Sequence, residues 1–326
     1  MPDFDTRVPH IARIYDYWLG GKDNFAADRQ AAEAAVAAAP GIKPGVRANR
    51  RFLGRAVRYM AEAGVRQYLD VGTGIPTADN THQVAQSIAP DARIVYVDND
   101  PIVLTHARAL LTSDPEGVTD YVDADARDAR AILAAAARTL DFSRPVGVML
   151  IAILHCIPDE DDPYQLVRSL LDGVPSGSFL AISHPARKQE AVAGRGEEVL
   201  NRSYDQNVTL RSREQVSRFF DGLDLVEPGV VPVTQWRPDS PLDRDSPWLP
   251  IVGGVARKPL CPGAPSPGAR VARRLTACGL RRQGKQPCAA RCPVPVRRRT
   301  RTSPRPRLET RVPVRRRNSG SPPGSG

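Results

Sequence analysis

Five times between residues 67 and 183 a short apolar run gives way to a polar turn and then, in most cases, to a stretch with apolar residues at helical spacing. The runs lie at 67–71, 94–97, 118–122, 146–154 and 179–183. Strands alternating with helices require right-handed crossovers, hence a parallel sheet with helices on both faces. The run at 146–154 is apolar throughout, as expected of a strand buried on both faces of a sheet. Helices are expected at about 80–88, from Asp100-Pro101 to about 111, at 129–140, from Asp162-Pro163 to about 171, up to about 204, and at 212–220 capped by Ser212. Two further strands are expected at 223–233 and 249–256, joined by a Pro-rich loop.

Three helices precede this core. Ile11, Ile14, Tyr15 and Trp18 follow a helical spacing that Gly20 and Gly21 end. A second helix spans about 26–39 before Pro40-Gly41, and a third about 46–63 before Gly64. After Pro259 the pattern dissolves into Arg, Pro, Gly and Ser. Such text buries too little apolar surface to offset the entropy of ordering, so disorder is expected. The expected division is therefore a helical cap or lid at 1–64, an α/β core at 65–259 and a basic tail at 260–326.

Charge follows the same division. The chain has 46 Lys+Arg and 36 Asp+Glu, a net of +10; 17 of the bases but only Glu309 among the acids lie beyond residue 259, leaving the body net acidic. A mildly acidic body is not the footprint of a basic nucleic-acid-binding domain. The tail reads as an arm for nucleic acid or another anionic surface, as a passive extension, or as non-native text from a shifted reading frame. The start, MPDFD, has no apolar run behind it, and the longest apolar stretch, 146–157, is about a dozen residues against the roughly 20 of a spanning helix. A cytoplasmic protein without a membrane partner is expected. The body holds one cysteine, Cys156; Cys261, Cys278, Cys288 and Cys292 have gaps that fit no common zinc pattern, so no metal is expected.

In an open parallel sheet, ligands bind beyond the carboxyl ends of the strands. Three such ends carry suitable groups. The first is Asp70-Val71-Gly72-Thr73-Gly74, where glycine lets backbone approach a ligand. The second is Asp98-Asn99-Asp100, whose leading carboxylate suits both hydroxyls of a ribose. At the third, Asp123 and Asp125 compete for an adenine amino group. A dinucleotide site wants a third glycine where Thr77 stands; Pro76 interrupts the loop, and no phosphate-binding lysine follows. The acid two residues before the first glycine suits a cationic ligand without phosphate, as S-adenosylmethionine is. His155, ending strand four, is read as a base, as a group that orients a ligand, or as a satisfied strand-end histidine. Tyr15, Tyr17, Lys22, Asp23 and Asn24 are read as a lid over the pocket, with packing of the tyrosines on the sheet edge as the alternative.

These motifs resemble those of the class I S-adenosylmethionine-dependent methyltransferases. More narrowly, they resemble a bacterial S-adenosyl methyltransferase family first catalogued as a domain of unknown function. The likeness runs through RIYDYWLGGKDNFAAD (13–28), LDVGTGIPTADNTHQVAQ (69–86), VYVDNDPIVLTHARALL (95–111), ILHCIPDEDDP (153–163) and RSREQVSRFFDGLDLVEPG (211–229), and covers about residues 8–258. It implies a Rossmann-like, doubly wound, mostly parallel seven-stranded sheet whose last strand is antiparallel, with S-adenosylmethionine as cofactor. It implies Gly72 and Gly74 against that cofactor, Asp98 on its ribose and Asp125 near its adenine. Asp70, Thr73 and Asn99 lie on the same tips. Cys156 departs from the pattern, since an aromatic residue is expected there. The stretch 155–158 is unlike the N-P-P-Y signature of amino-group methylation, which leans toward oxygen, carbon or sulfur acceptors. A small-molecule acceptor is expected. The competing functions are a non-catalytic S-adenosylmethionine-binding protein, a nicotinamide-dependent oxidoreductase, and a nucleic-acid methyltransferase that uses the tail.

Overall fold

The computed structural model describes residues 5–77, 79–103, 105, 113–186, 208–240 and 251–260. The tail, its four cysteines, the helix expected up to about 204 and most of the helix after Pro101 lie outside the described residues.

Three helices open the chain: α1 (Ile11–Leu19), α2 (Ala26–Ala38) and α3 (Ile42–Glu62). Then come β1 (Gln67–Val71), α4 (Thr81–Ile88), β2 (Arg93–Asp98), β3 (Val118–Asp123), α5 (Ala129–Ala136), β4 (Gly147–Ile151), α6 (Pro163–Asp172), β5 (Phe179–Pro185), α7 (Arg213–Ser217), β6 (Asp224–Leu225), β7 (Val231–Pro232) and β8 (Ile251–Arg257). The sheet order is β3-β2-β1-β4-β5-β8-β6, with β7 also on β8. β1 to β5 pair in parallel, and β8 runs antiparallel to β5, β6 and β7. The expected mostly parallel sheet with an antiparallel last strand is therefore present.

One expected strand is two. Asp224 and Leu225 pair with Arg257 and Ala256, whereas Val231 and Pro232 pair with Gly253 and Val252. Both pieces follow one edge of β8, interrupted by a turn in which Gly229 (φ 85) donates to the Val226 carbonyl at 2.8 Å. The count thus becomes eight strands rather than seven. β4 is also shorter than its apolar run. Ala152 adopts φ 52 and turns the chain out of the sheet, and Leu154–Cys156 form a 3-10 turn. Past the strand the run continues as half-buried Ala152 and Ile153 and buried Leu154, apolar without being strand.

Helix ends follow local chemistry. Gly20 closes α1 at φ 90, where other residues pay a steric penalty. The Asn80 and Gln83 side chains form a reciprocal cap on α4, and Ser212 and Gln215 do the same for α7. The Asp162 side chain accepts from Gln165 N ahead of Pro163 on α6.

Alternate residues of the inner strands go to opposite faces. Leu69, Val95, Val97, Val148, Leu150 and Ile182 join a core with α5 and α6. Tyr68, Ile94, Tyr96, Met149 and Ala181 join another with α3 and α4. α3 is therefore a layer of the core, although it lies within the segment expected to be a cap. Ile14, Trp18, Ala32, Ala35 and Val46 form a separate cluster that joins α1 and α2 to the start of α3.

Phe52 anchors α3. It is fully buried, meets Trp236 edge-on at 5.4 Å, and lies where a side chain on Gly253 of β8 would be, 2.8 Å from a Cβ there. Phe52→Ala is expected to lower the unfolding free energy by about 3–5 kcal/mol, read as an earlier midpoint in a urea titration. An unchanged midpoint would contradict this packing.

Candidate functional site

A cavity of about 220 Å³ opens at the carboxyl ends of the strands. Its floor is the tips of β1, β2, β3, β4 and β5 and the start of β8; its roof is α1 and α3. Asp70, Gly72, Thr73, Gly74, Asp98, Asn99, Asp125, His155 and Tyr15 all line it. Tyr17, Lys22, Asp23 and Asn24 are not among its lining residues.

At the first tip, Gly72 and Gly74 adopt φ 75 and 67. Their empty sides differ. A Cβ on Gly72 would lie 2.5 Å from Ile153 Cγ1, so its close approach is to the chain's own β4 loop. A Cβ on Gly74 would meet nothing within 4 Å, which leaves that backbone facing open space. Gly72 N donates to the Val97 carbonyl at 2.8 Å, fixing the loop to β2. Thr73 Oγ1 donates to the Asp70 carbonyl at 3.1 Å. Asp70 itself is buried and accepts from Thr81 Oγ1 at 2.6 Å. Burial pushes its carboxyl up to about 6, against the pull of Thr81 and Arg50.

Asp98 is held by two backbone donors. Gly74 N reaches Oδ2 at 2.8 Å and Asp100 N reaches Oδ1 at 3.0 Å. Each oxygen keeps a further acceptor site, so the carboxylate can present both to a vicinal diol. Desolvation raises its pKa, while the two N–H donors oppose this. At the third tip, Asp125 lines the cavity and Asp123 is exposed outside it. Asp125 accepts from Arg127 N at 2.9 Å and pairs with Arg127 Nη1 at 3.0 Å, and Arg127 Nε continues to Asp161 at 2.6 Å.

His155 sits in the 3-10 turn after β4, buried at 8% exposure, with no partner for Nδ1 among the described residues. Burial and the Arg211 cation push its imidazole down to about 4, so the ring is neutral at physiological pH. The reason for this placement is a residue sequence reasoning did not single out. Arg211 is fully buried and donates to the carbonyls of Leu154 at 2.7 Å and Ile157 at 2.8 Å, on both sides of His155. It also reaches His184 Nε2 at 3.0 Å and Asp159 Oδ1 at 2.7 Å. The Cys156 thiol lines the cavity and is pushed up to about 12 by burial, so it is an apolar wall and not a nucleophile.

The glycine-rich segment after α1 acts differently from a lid whose side chains face the pocket. It wraps Asp16, a cavity-lining residue that the sequence reading passed over. Asp16 Oδ2 accepts from Asp23 N at 3.0 Å and Asn24 Nδ2 at 2.9 Å. A Cβ on Gly21 would fall 1.8 Å from Asp16 Oδ1, so glycine is needed for the wrap. The available signal was Gly21 itself, one residue past the helix-ending Gly20. Lys22 is exposed, and Tyr17 Oη donates outward to Glu33 Oε1 at 2.7 Å. Tyr15 stays inside, with Asn49 Nδ2 donating to its oxygen at 2.9 Å. Arg50, also on α3, ties the roof to the α4 cap through Asn80 Oδ1 at 2.7 Å. No group of His, Cys, Asp and Glu suited to a metal occurs among the described residues, and no described helix is long and apolar enough to cross a membrane.

A family model described as S-adenosyl methyltransferase matches residues 1–259. A crystal structure of a DUF574 family protein from Streptomyces avermitilis is 47% identical, with a TM-score of 0.75 over 78% of this chain and 99% of that one. A putative methyltransferase from Thermobifida fusca is 41% identical, with a TM-score of 0.73 over 79% of this chain and 98% of that one. No curated protein matches the chain.

The raised Asp70 pKa sets a pH dependence. A carboxyl that titrates near 6 when folded and near 3.8 when unfolded makes the native state bind more protons between those values. Stability of the ligand-free protein therefore falls as pH rises through that window, by on the order of 2–3 kcal/mol from this group. Asp70→Asn is expected to raise the thermal midpoint at pH 7.5 and to leave it nearly unchanged at pH 4. A lower midpoint at pH 7.5 would contradict the desolvated carboxylate.

Proposed function

The chain belongs to the S-adenosyl methyltransferase family, and from that premise we propose that it transfers a methyl group from S-adenosylmethionine to a small-molecule acceptor inside this cavity. The observation that carries the reading is the pre-set Asp98 carboxylate. Two backbone N–H groups fix its oxygens, at 2.8 and 3.0 Å, on the rim of a cavity that Gly74 leaves open.

The residues fit the cofactor. Asp98 would take the ribose hydroxyls, with Asn99 beside it. Asp125 would meet the adenine edge. Gly72, Thr73 and Gly74 would lie along the nucleoside. Asp70, desolvated and anionic above about pH 6, suits a cationic amino-acid end. When bound, S-adenosylmethionine supplies a methyl group already activated on a sulfonium. The chain has then to align the two ligands and exclude water. The roof of α1 and α3 serves the second task. His155, neutral near the β4 tip, adds no positive charge beside the sulfonium and is available to orient an acceptor or take its proton. A cavity at the strand tips, roofed in part by two helices, suits a small acceptor rather than a duplex or a folded protein.

Asp98→Ala is expected to weaken S-adenosylmethionine binding at least tenfold, about 1.4 kcal/mol, in calorimetry at pH 7.5. Wild-type affinity in the variant would remove the ribose role. Incubation of the wild type with a labelled methyl donor and a metabolite extract is expected to label a small molecule. Labelling confined to macromolecules would overturn the acceptor class.

A further inference from the structure

The cavity is chemically divided, and the division bears on the acceptor. Three carboxylates, Asp70, Asp98 and Asp125, stand on the tips of β1, β2 and β3. The other half of the floor carries none. There β4, β5, β8 and the loop after β4 contribute Ile151, Ile153, Cys156, Ile157, Pro185 and Ile251, with Pro185 and Ile251 paired in register across β5 and β8. The roof adds Trp18, Ile42, Val46 and Leu53. Its charged groups are Asp16, which already accepts from Asp23 and Asn24, and Arg50, which already donates to Asn80. They are opposite in sign, so together they give the roof no net charge to match an ionic acceptor.

Two buried polar atoms of cavity-lining residues have no partner among the described residues: His155 Nδ1 and Asn49 Oδ1. Their residues are 8% and 1% exposed. Each atom is of a kind that accepts a hydrogen bond, Nδ1 when the imidazole proton sits on Nε2. Both atoms are enclosed in the ligand-free protein and buried acceptors are normally paired, so a ligand O–H donor would complete the site once a small rotation of the ring or amide brings the acceptor to the cavity surface. A phosphate or carboxylate would bring further acceptors to a cavity whose lining guanidiniums, Arg50 and Arg127, are already engaged by Asn80 and by Asp125 and Asp161.

We propose that the methyl acceptor is a small, uncharged molecule with an apolar body and a hydroxyl group, seated against the tips of β4, β5 and β8 beneath α1 and α3, with its hydroxyl on His155. This rests on the methyl-transfer reading above. In the transfer the acceptor oxygen bonds to the methyl carbon as that carbon's bond to sulfur breaks. Sulfur keeps the electron pair and becomes a neutral thioether, and the hydroxyl proton passes to the imidazole. Positive charge leaves the sulfonium and appears on the imidazolium, which burial and Arg211 disfavour, so the proton passes on to water.

The test separates the two ligands. Wild-type protein saturated with S-adenosylhomocysteine is titrated at pH 7.5 with 2-naphthol, with cationic 2-(aminomethyl)naphthalene and with anionic 2-naphthoate. 2-Naphthol is expected to bind at least tenfold more tightly than either ion, and more tightly than 2-methylnaphthalene. His155→Phe should erase the preference for 2-naphthol over 2-methylnaphthalene. Val46→Asp should weaken 2-naphthol at least tenfold with S-adenosylhomocysteine affinity within twofold; Leu53→Thr, a milder change, should act in the same direction if Val46→Asp does not fold. A preference for either ion, or no binding by any probe in protein that still binds S-adenosylhomocysteine, overturns the acceptor class alone. Failure of the wild type to bind S-adenosylhomocysteine would instead sink the cofactor reading.

Discussion

Parallel pairing is the constraint from which the rest of the molecule follows. β1 to β5 run in one direction, so their carboxyl ends reach one edge of the sheet together. Residues more than 80 positions apart, such as Asp70 and His155, then line one cavity. Burial of the strands on both faces fixes the register, because a one-residue slip would turn each side chain to the other core. Leu69 and Tyr68, adjacent in sequence, belong to opposite cores for this reason.

Enclosure gives the edge its electrostatics. Asp70 and Asp98 are carboxylates partly stripped of water, and their hydrogen bonds to Thr81, Gly74 N and Asp100 N offset only part of that loss. Such groups favour a cation and offer acceptors at fixed positions. The imidazoles are treated in the opposite way. Burial and the Arg211 cation keep His155 and His184 neutral, and the same guanidinium pins the carbonyls around His155. One fully buried arginine thus sets the shape of the loop after β4 and adds to the effect of burial on its charge.

Much of the cavity lining was legible because it is local. Asp70, Gly72 and Gly74 sit in one short loop, and Asp98 ends a strand whose limits are plain in the sequence. In the sequence, Tyr15, Tyr17, Lys22, Asp23 and Asn24 read as a lid over the pocket. Gly21 instead lets the loop close on Asp16, a contact set by backbone geometry that spacing does not reveal. Arg211 was overlooked because its partners, Leu154, Ile157, Asp159 and His184, come from segments distant in sequence. The end of β4 was misjudged because an apolar run is the same whether it continues a strand or turns at a left-handed residue such as Ala152.

The amino-acid sequence by itself determined the alternation of strands and helices, the glycines of the first loop, the acids at the strand tips and the helix caps, since each depends on neighbours within a few residues. It also carried the family motifs. Only the tertiary structure put Asp125 and not Asp123 on the cavity, placed α3 in the core and Asp16 on the cavity, split the edge strand at Gly229, and gathered apolar side chains from α1, α3, β4, β5 and β8 into one half of the cavity. Those outcomes depend on which distant surfaces exclude water together, and the order of residues along a chain does not contain that information locally.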